Sequence, residues 1–171
     1  MRKSWSNIMR IIFLDFDGVI ITWRSHFSRS NWNRKKWETL DLVCVNFLKN
    51  LCNMSDGPMR IVVSSSWRFQ QENVMELLNP TRLSEYFHED WRTTVYSNVE
   101  RKVLVPESLA RGGEINEWLN RHPEVKDYRI LDDDSDILPK QLDRFIKCDG
   151  WDGLGGRDMK TLIDWSRGTK E

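Results

Sequence analysis

Arg10-Ile11-Ile12-Phe13-Leu14-Asp15-Phe16-Asp17-Gly18-Val19 reads as a short buried strand that delivers two carboxylates to its C-terminal end, with a glycine directly behind them. Strand side chains alternate, so Asp15 and Asp17 project to one side and Phe16 to the other. Two acids held together at a desolvating strand end repel each other, and a hard divalent cation with oxygen ligands offsets that repulsion. A polar turn whose acids cap the next helix is the plainer reading of the same residues.

Two more stretches end in the same manner. Tyr128-Arg129-Ile130-Leu131-Asp132-Asp133-Asp134-Ser135-Asp136 is again an apolar run that closes on acids. Met59-Arg60-Ile61-Val62-Val63-Ser64-Ser65-Ser66-Trp67-Arg68 runs into hydroxyls and an arginine, groups that hold phosphate oxygens. In open α/β sheets, ligands bind outside the carboxyl ends of the strands at the switch point of strand order, so these endings fit one shared site. Strands are expected over 10–15, 60–63, 128–131 and 144–147, with 93–96 as a possible third strand. Helices are expected over 38–51, 72–78, 114–120, 138–142 and 158–165, with loops over 101–110 and 150–156. This alternation implies an α/β, Rossmann-like, doubly wound and mainly parallel five-stranded sheet with helices on both faces.

The 171 residues suit a single domain over 1–171. Lysine plus arginine balances aspartate plus glutamate, 26 each, so net charge makes no case for bulk nucleic-acid binding. Locally, a flap over 20–37 holds Arg24, Arg29, Arg34, Lys35 and Lys36 without an acid. Interleaved with aromatics, it can track a polyanion or be a solvated loop. Trp23, Trp32 and Trp67 are candidates to stack on a base, whereas Trp118 and Trp165 sit at core positions of amphipathic helices. Cys44, Cys52 and Cys148 are odd in number and sparse, which points to a reducing compartment; Cys44 and Cys52 fall on one helix, too far apart to bridge. The first apolar run contains the Asp pair and cannot serve as a signal peptide, and none approaches the roughly 20 residues of a membrane span. A cytoplasmic protein with no membrane association and no evident obligate protein partner is expected. His26, His88 and His122 show no spacing that suggests a relay or a metal site.

In their order, DFDGV, VVSSSWR and ILDDDSD resemble the haloacid dehalogenase superfamily of phosphotransferases over most of the chain. Asp149-Gly150-Trp151-Asp152-Gly153-Leu154, together with Gly112-Gly113-Glu114-Ile115-Asn116-Glu117-Trp118-Leu119, is similar to the branch of phosphatase domains in bacterial and phage RNA-repair proteins. Superfamily members often carry a cap domain, but the intervals here leave room only for the flap, so an essentially uncapped, open site is expected.

The resemblance implies a Mg2+-dependent phosphomonoesterase with a phosphoaspartate intermediate. Asp15 is then the nucleophile, and Asp17 the general acid and base whose carbonyl also binds metal. Gly18 lets the chain turn so that backbone N–H groups face the phosphate. Ser64 matches the second motif, with Ser65 as alternative, and Arg68 could bind phosphate or form a surface salt bridge. Arg111 is the candidate for the basic third motif, with Arg101 and Lys102 as competitors. Asp132, Asp133 and Asp136 supply the fourth, joining Asp15 and Asp17 around the metal, some directly and one through water. A nucleotide or nucleic-acid terminal phosphate is the expected substrate. The alternatives are a small-metabolite phosphatase, a transferase or mutase sharing the covalent step, and a non-catalytic phosphate-binding module.

Overall fold

The computed structural model describes residues 8–94 and 109–168. Within them lie strands β1 (Arg10–Leu14), β2 (Met59–Val63), β3 (Phe87–Arg92), β4 (Asp127–Asp132) and β5 (Phe145–Lys147). The α-helices among the described residues are α1 (Trp23–His26), α2 (Leu42–Met54), α3 (Gln71–Leu78), α4 (Ala110–Arg121) and α5 (Gly156–Ser166). The strands form one sheet in the order β3-β2-β1-β4-β5, and every pair is parallel. The expected α/β architecture is therefore present.

As the central strand, β1 has both faces covered, which is why its five residues are all buried and read as an unbroken apolar run. Ile12 and Leu14 join Val45 and Leu48 of α2, Val74 of α3 and Leu162 of α5 in one core. Ile11 and Phe13 face the opposite way, toward Val62, Ile130 and the α4 residues Ile115 and Trp118. Trp118 and Trp165 are buried as expected.

Several boundaries differ from the sequence expectation. The helix expected over 38–51 starts at Leu42, because the Asp41 carboxylate caps it by accepting from the Val43 and Cys44 N–H groups. Lys36–Glu38 forms a separate 3-10 turn. The third strand is Phe87–Arg92 rather than 93–96. It is a half-buried edge strand without apolar alternation, and Thr93 and Thr94 follow it. Val95 and Tyr96, and residues 101–108 of the expected loop, lie outside the described residues. Residues expected as a helix over 138–142 form the 3-10 segment Pro139–Arg144, opened by its proline.

Between β1 and α2 the chain builds only α1 and the short turns Arg29–Asn31 and Lys36–Glu38, so no sizeable cap is formed among the described residues. This flap is tied down by Asp41, which also accepts from Thr22 Oγ1 at 3.0 Å and from Arg24 Nη2 at 2.8 Å. Arg24, counted above with the basic residues, is thus committed to a buried acid. No helix of the described residues is long and apolar enough to cross a membrane.

Candidate active site

The parallel register explains why the three strand endings meet. Leu14 pairs with Val63 on one side and Leu131 on the other. The ladder runs one step further, with Asp15 N–H donating to the Leu131 carbonyl and Ser64 N–H to the Leu14 carbonyl, both at 2.9 Å. Asp15 therefore sits in a row between Ser64 and Asp132. Carboxylate oxygens of Asp15, Asp132 and Asp133 lie within 4.8 Å of one another. Arg111, in the first turn of α4, reaches this group with Nε 3.1 Å from Asp132 Oδ2 and Nη2 4.0 Å from Asp15 Oδ1.

One guanidinium does not balance this many acids. Burial pushes the Asp15 carboxyl up to about 6, against the opposing pull of Arg111 and a hydrogen bond from Ser65. Asp132 is pushed up to about 7, first by burial and then by the Asp15 charge. Asp133 is also raised, again mainly by burial. For Arg111, burial works against its charge, but Asp15, Asp132 and Asp136 outweigh it and hold the cation.

Asp133 is seated by glycines. Gly18 has φ +71°, and a Cβ there would overlap the Asp133 carboxylate. One on Gly150 would stand 2.7 Å from the same Asp133 oxygen. Both loops approach the acid this closely because neither carries a side chain. Gly18 makes the expected sharp turn: its N–H donates to the Ile21 carbonyl at 2.9 Å, and Ile20 and Ile21 both donate to Phe16. The Asp17 carboxylate is not one of the converging trio, but its charge acts on both Asp15 and Asp133, and its Oδ2 accepts from the Trp67 indole N–H at 2.9 Å. Trp67, expected only as a stacking candidate, thus orients an acid of the site.

The second and third motif residues separate into distinct roles. Ser64 Oγ is buried with no hydrogen-bond partner among the described residues, whereas the Ser65 hydroxyl serves Asp15 and accepts from the Trp67 N–H at 3.4 Å. Arg68 is not a surface ion pair. It is buried, with Nη2 donating to Glu114 Oε2 at 2.6 Å and Nη1 to the Ser65 carbonyl at 2.6 Å. Asp136 stands outside the acid trio and serves α4. Its Oδ2 accepts from the Arg111 N–H at 3.1 Å and its carbonyl from Gly112 at 2.9 Å, which fixes the turn that carries Arg111. Arg101 and Lys102 lie outside the described residues.

The histidines are not as isolated as their spacing suggested. His88 and His122 lie with ring centroids 5.1 Å apart around Trp118, and Glu124 is close enough to complete a donor trio. His88 Nδ1 accepts from the Asp90 N–H, so the neutral ring carries its proton on Nε2. Trp23 stacks with Phe27 beside Trp151, and Trp32 is largely exposed.

Three converging carboxylates, two of them buried and raised in pKa, are an all-oxygen donor set that suits a hard divalent cation such as Mg2+. The family model for the HAD (haloacid dehalogenase) domain in Swiss Army Knife RNA repair proteins matches the chain over residues 11–159. No curated protein and no solved structure matches it.

Proposed function

The chain belongs to the family of HAD domains in Swiss Army Knife RNA repair proteins, and on that premise we propose that it is a Mg2+-dependent phosphomonoesterase acting on the terminal phosphate of a nucleotide or nucleic acid. The observation that carries this reading is the row Ser64–Asp15–Asp132 at the carboxyl edge of the sheet, with Arg111 set over both acids.

In this reading an Asp15 carboxylate oxygen attacks phosphorus in line with the ester oxygen. The P–O ester bond breaks, its electron pair goes to the leaving oxygen, and Asp17 supplies the proton. The aspartyl-phosphate formed on Asp15 is then attacked by water, whose proton returns to Asp17. The acyl-phosphate bond breaks to release inorganic phosphate and regenerate Asp15. The Trp67 indole fixes the rotamer of Asp17 for both proton transfers, since it holds one oxygen and leaves the other to work. Arg111 attracts the phosphoryl group and balances Asp15. The Ser64 hydroxyl, buried at the strand end, is placed to donate to a phosphate oxygen. Asp15, Asp132 and Asp133 would hold Mg2+, which would lower the repulsion between the attacking carboxylate and the phosphate. Gly18 contributes by admitting Asp133 rather than by binding phosphate, and Asp136 by placing Arg111. The single phosphatase domain is open, as suits a long substrate, and the reading places it in the cytoplasm.

The test is phosphate release from 3′- and 5′-phosphorylated oligonucleotides, mononucleotides and sugar phosphates, with Mg2+ or EDTA, for wild type and Asp15→Asn. Release that needs Mg2+ and vanishes in Asp15→Asn supports the proposal, and turnover of sugar phosphates alone would replace its substrate class. No release from any substrate by a folded, Mg2+-binding protein would favour a phosphate-binding module.

A further inference from the structure

The flap and α3 border an open cleft of about 560 Å3 lined by Arg34, Trp37, Glu38, Trp67, Gln70 and Asn73, with Leu77 and Pro80 adding apolar surface. Its volume lies in the range of small-ligand sites. Trp67 is shared: its indole lines the cavity while its N–H holds Asp17 Oδ2. The cavity therefore begins one indole away from an acid of the proposed reaction.

We propose that this cavity receives the nucleobase of the nucleotide that bears the scissile phosphate; the inference rests on the phosphatase reading and names what lies next to the phosphate. Three features carry it. Two indoles, Trp37 from the flap and Trp67 from the turn after β2, border one space. Aromatic faces of this kind are where flat heterocycles stack. Trp37 is 54% exposed, so its indole is accessible to a ligand, with Lys35 Nζ 5.3 Å from its ring. The formal charges of the lining, one arginine against Glu38 and Glu76, are unsuited to a second phosphate. A neutral ligand whose polarity is confined to its edge fits better. The side-chain amides of Gln70 and Asn73, already hydrogen-bonded to each other, offer both donors and acceptors to such an edge. The sequence pointed to Trp23 and Trp32 as further stacking residues. Trp23 stacks on Phe27 instead, and neither Trp23 nor Trp32 lines the cavity.

The experiment compares wild type with Trp37→Ala on nucleoside monophosphates, on end-phosphorylated oligonucleotides, and on the same oligonucleotides with an abasic terminal nucleotide. Trp37 contacts neither the acids nor Arg111 among the described residues, so the chemical step is left intact. The expected result is a loss in kcat/KM of about 5- to 100-fold on base-bearing substrates, with less than about a twofold change on the abasic one. Loss on mononucleotides and oligonucleotides alike assigns the pocket to the nucleoside itself; loss on oligonucleotides alone assigns it to a base held in a strand. Equal activity of the variant on base-bearing substrates, or equal losses on abasic and base-bearing ones, overturns the inference while leaving the phosphatase reading in place. A second measurement follows the indole N–H resonances during titration with unphosphorylated nucleosides. Shifts at Trp37 and Trp67 in wild type, with the Trp67 shift lost in Trp37→Ala, support the base site even if no substrate turns over; no shift in wild type overturns it.

Discussion

Replacing Asp132 by asparagine should make the metal-free protein more stable and at the same time abolish its response to Mg2+. Asp132 is buried beside Asp15, and the two share one guanidinium. A carboxyl raised from 3.8 to about 7 carries a penalty of about 4 kcal/mol when ionised in the fold. Its folded pKa lies above its unfolded value, so the unfolded chain ionises first. The stability of the metal-free protein therefore falls as pH rises from about 4 to about 7 and stays low above that. Asparagine keeps an oxygen for the Asp134 N–H, which Asp132 Oδ1 accepts at 2.9 Å, but its amide N–H2 repels Arg111 and cancels part of the gain. A net stabilisation of about 2 kcal/mol at pH 8 remains, or about 4–8 °C in Tm for a chain of this size, and reverses to about 2 kcal/mol of destabilisation near pH 4, where the ionisation penalty is gone. Thermal melts in EDTA at pH 4.5 and pH 8, repeated with Mg2+, measure this directly. Wild type should gain stability from Mg2+ at pH 8, and Asp132→Asn should gain little. A variant that melts below wild type by the same amount at both pH values would refute the argument, since Asp132 would then be a packing element and not a frustrated charge.

Glu114→Gln should destabilise the fold by about 3–5 kcal/mol in urea unfolding, because it removes one charge of a buried pair with Arg68; unchanged stability with a raised KM would return Arg68 to phosphate binding. Gly18→Ala should cost stability and Mg2+ binding together, since it forces a side chain onto φ +71° and into Asp133. Calorimetric Mg2+ titration tests it, and normal affinity would count against the seating of Asp133. Asp136→Ala should cost about 1 kcal/mol through the lost α4 cap and lower kcat more than KM by loosening Arg111. Asp136→Asn, which keeps an acceptor for the Arg111 N–H, should recover most of both; failure of that rescue would mean that the Asp136 charge acts directly.

The legible parts of this molecule are those written in neighbouring residues. An apolar run ending in acids identifies β1 and β4, and one ending in hydroxyls identifies β2, because burial and chemistry alternate within a few positions. The edge strand β3 carries no such pattern, since it is only half covered and its residues need not be apolar. Arg68 looked available for phosphate because its partner Glu114 is 46 positions away. Likewise, the spacing of Asp136 gives no sign that its carboxylate also caps α4, 25 residues earlier. The onset of that helix was misplaced for the same reason: the cap comes from another part of the fold.

By itself, then, the sequence determined the strand endings, the parallel α/β class and the position of Asp15 and Asp132 at those endings, since these follow from local periodicity and from the chemistry of residue types. Only the tertiary structure decided which charged residues are available for function. Register sets Asp15 between Ser64 and Asp132, close packing through Gly18 and Gly150 brings Asp133 in, and long-range pairing commits Arg68 to Glu114 and Arg24 to Asp41. A charge is free to act on a ligand only when no partner has already neutralised it, and in a folded chain that partner is seldom a neighbour in sequence.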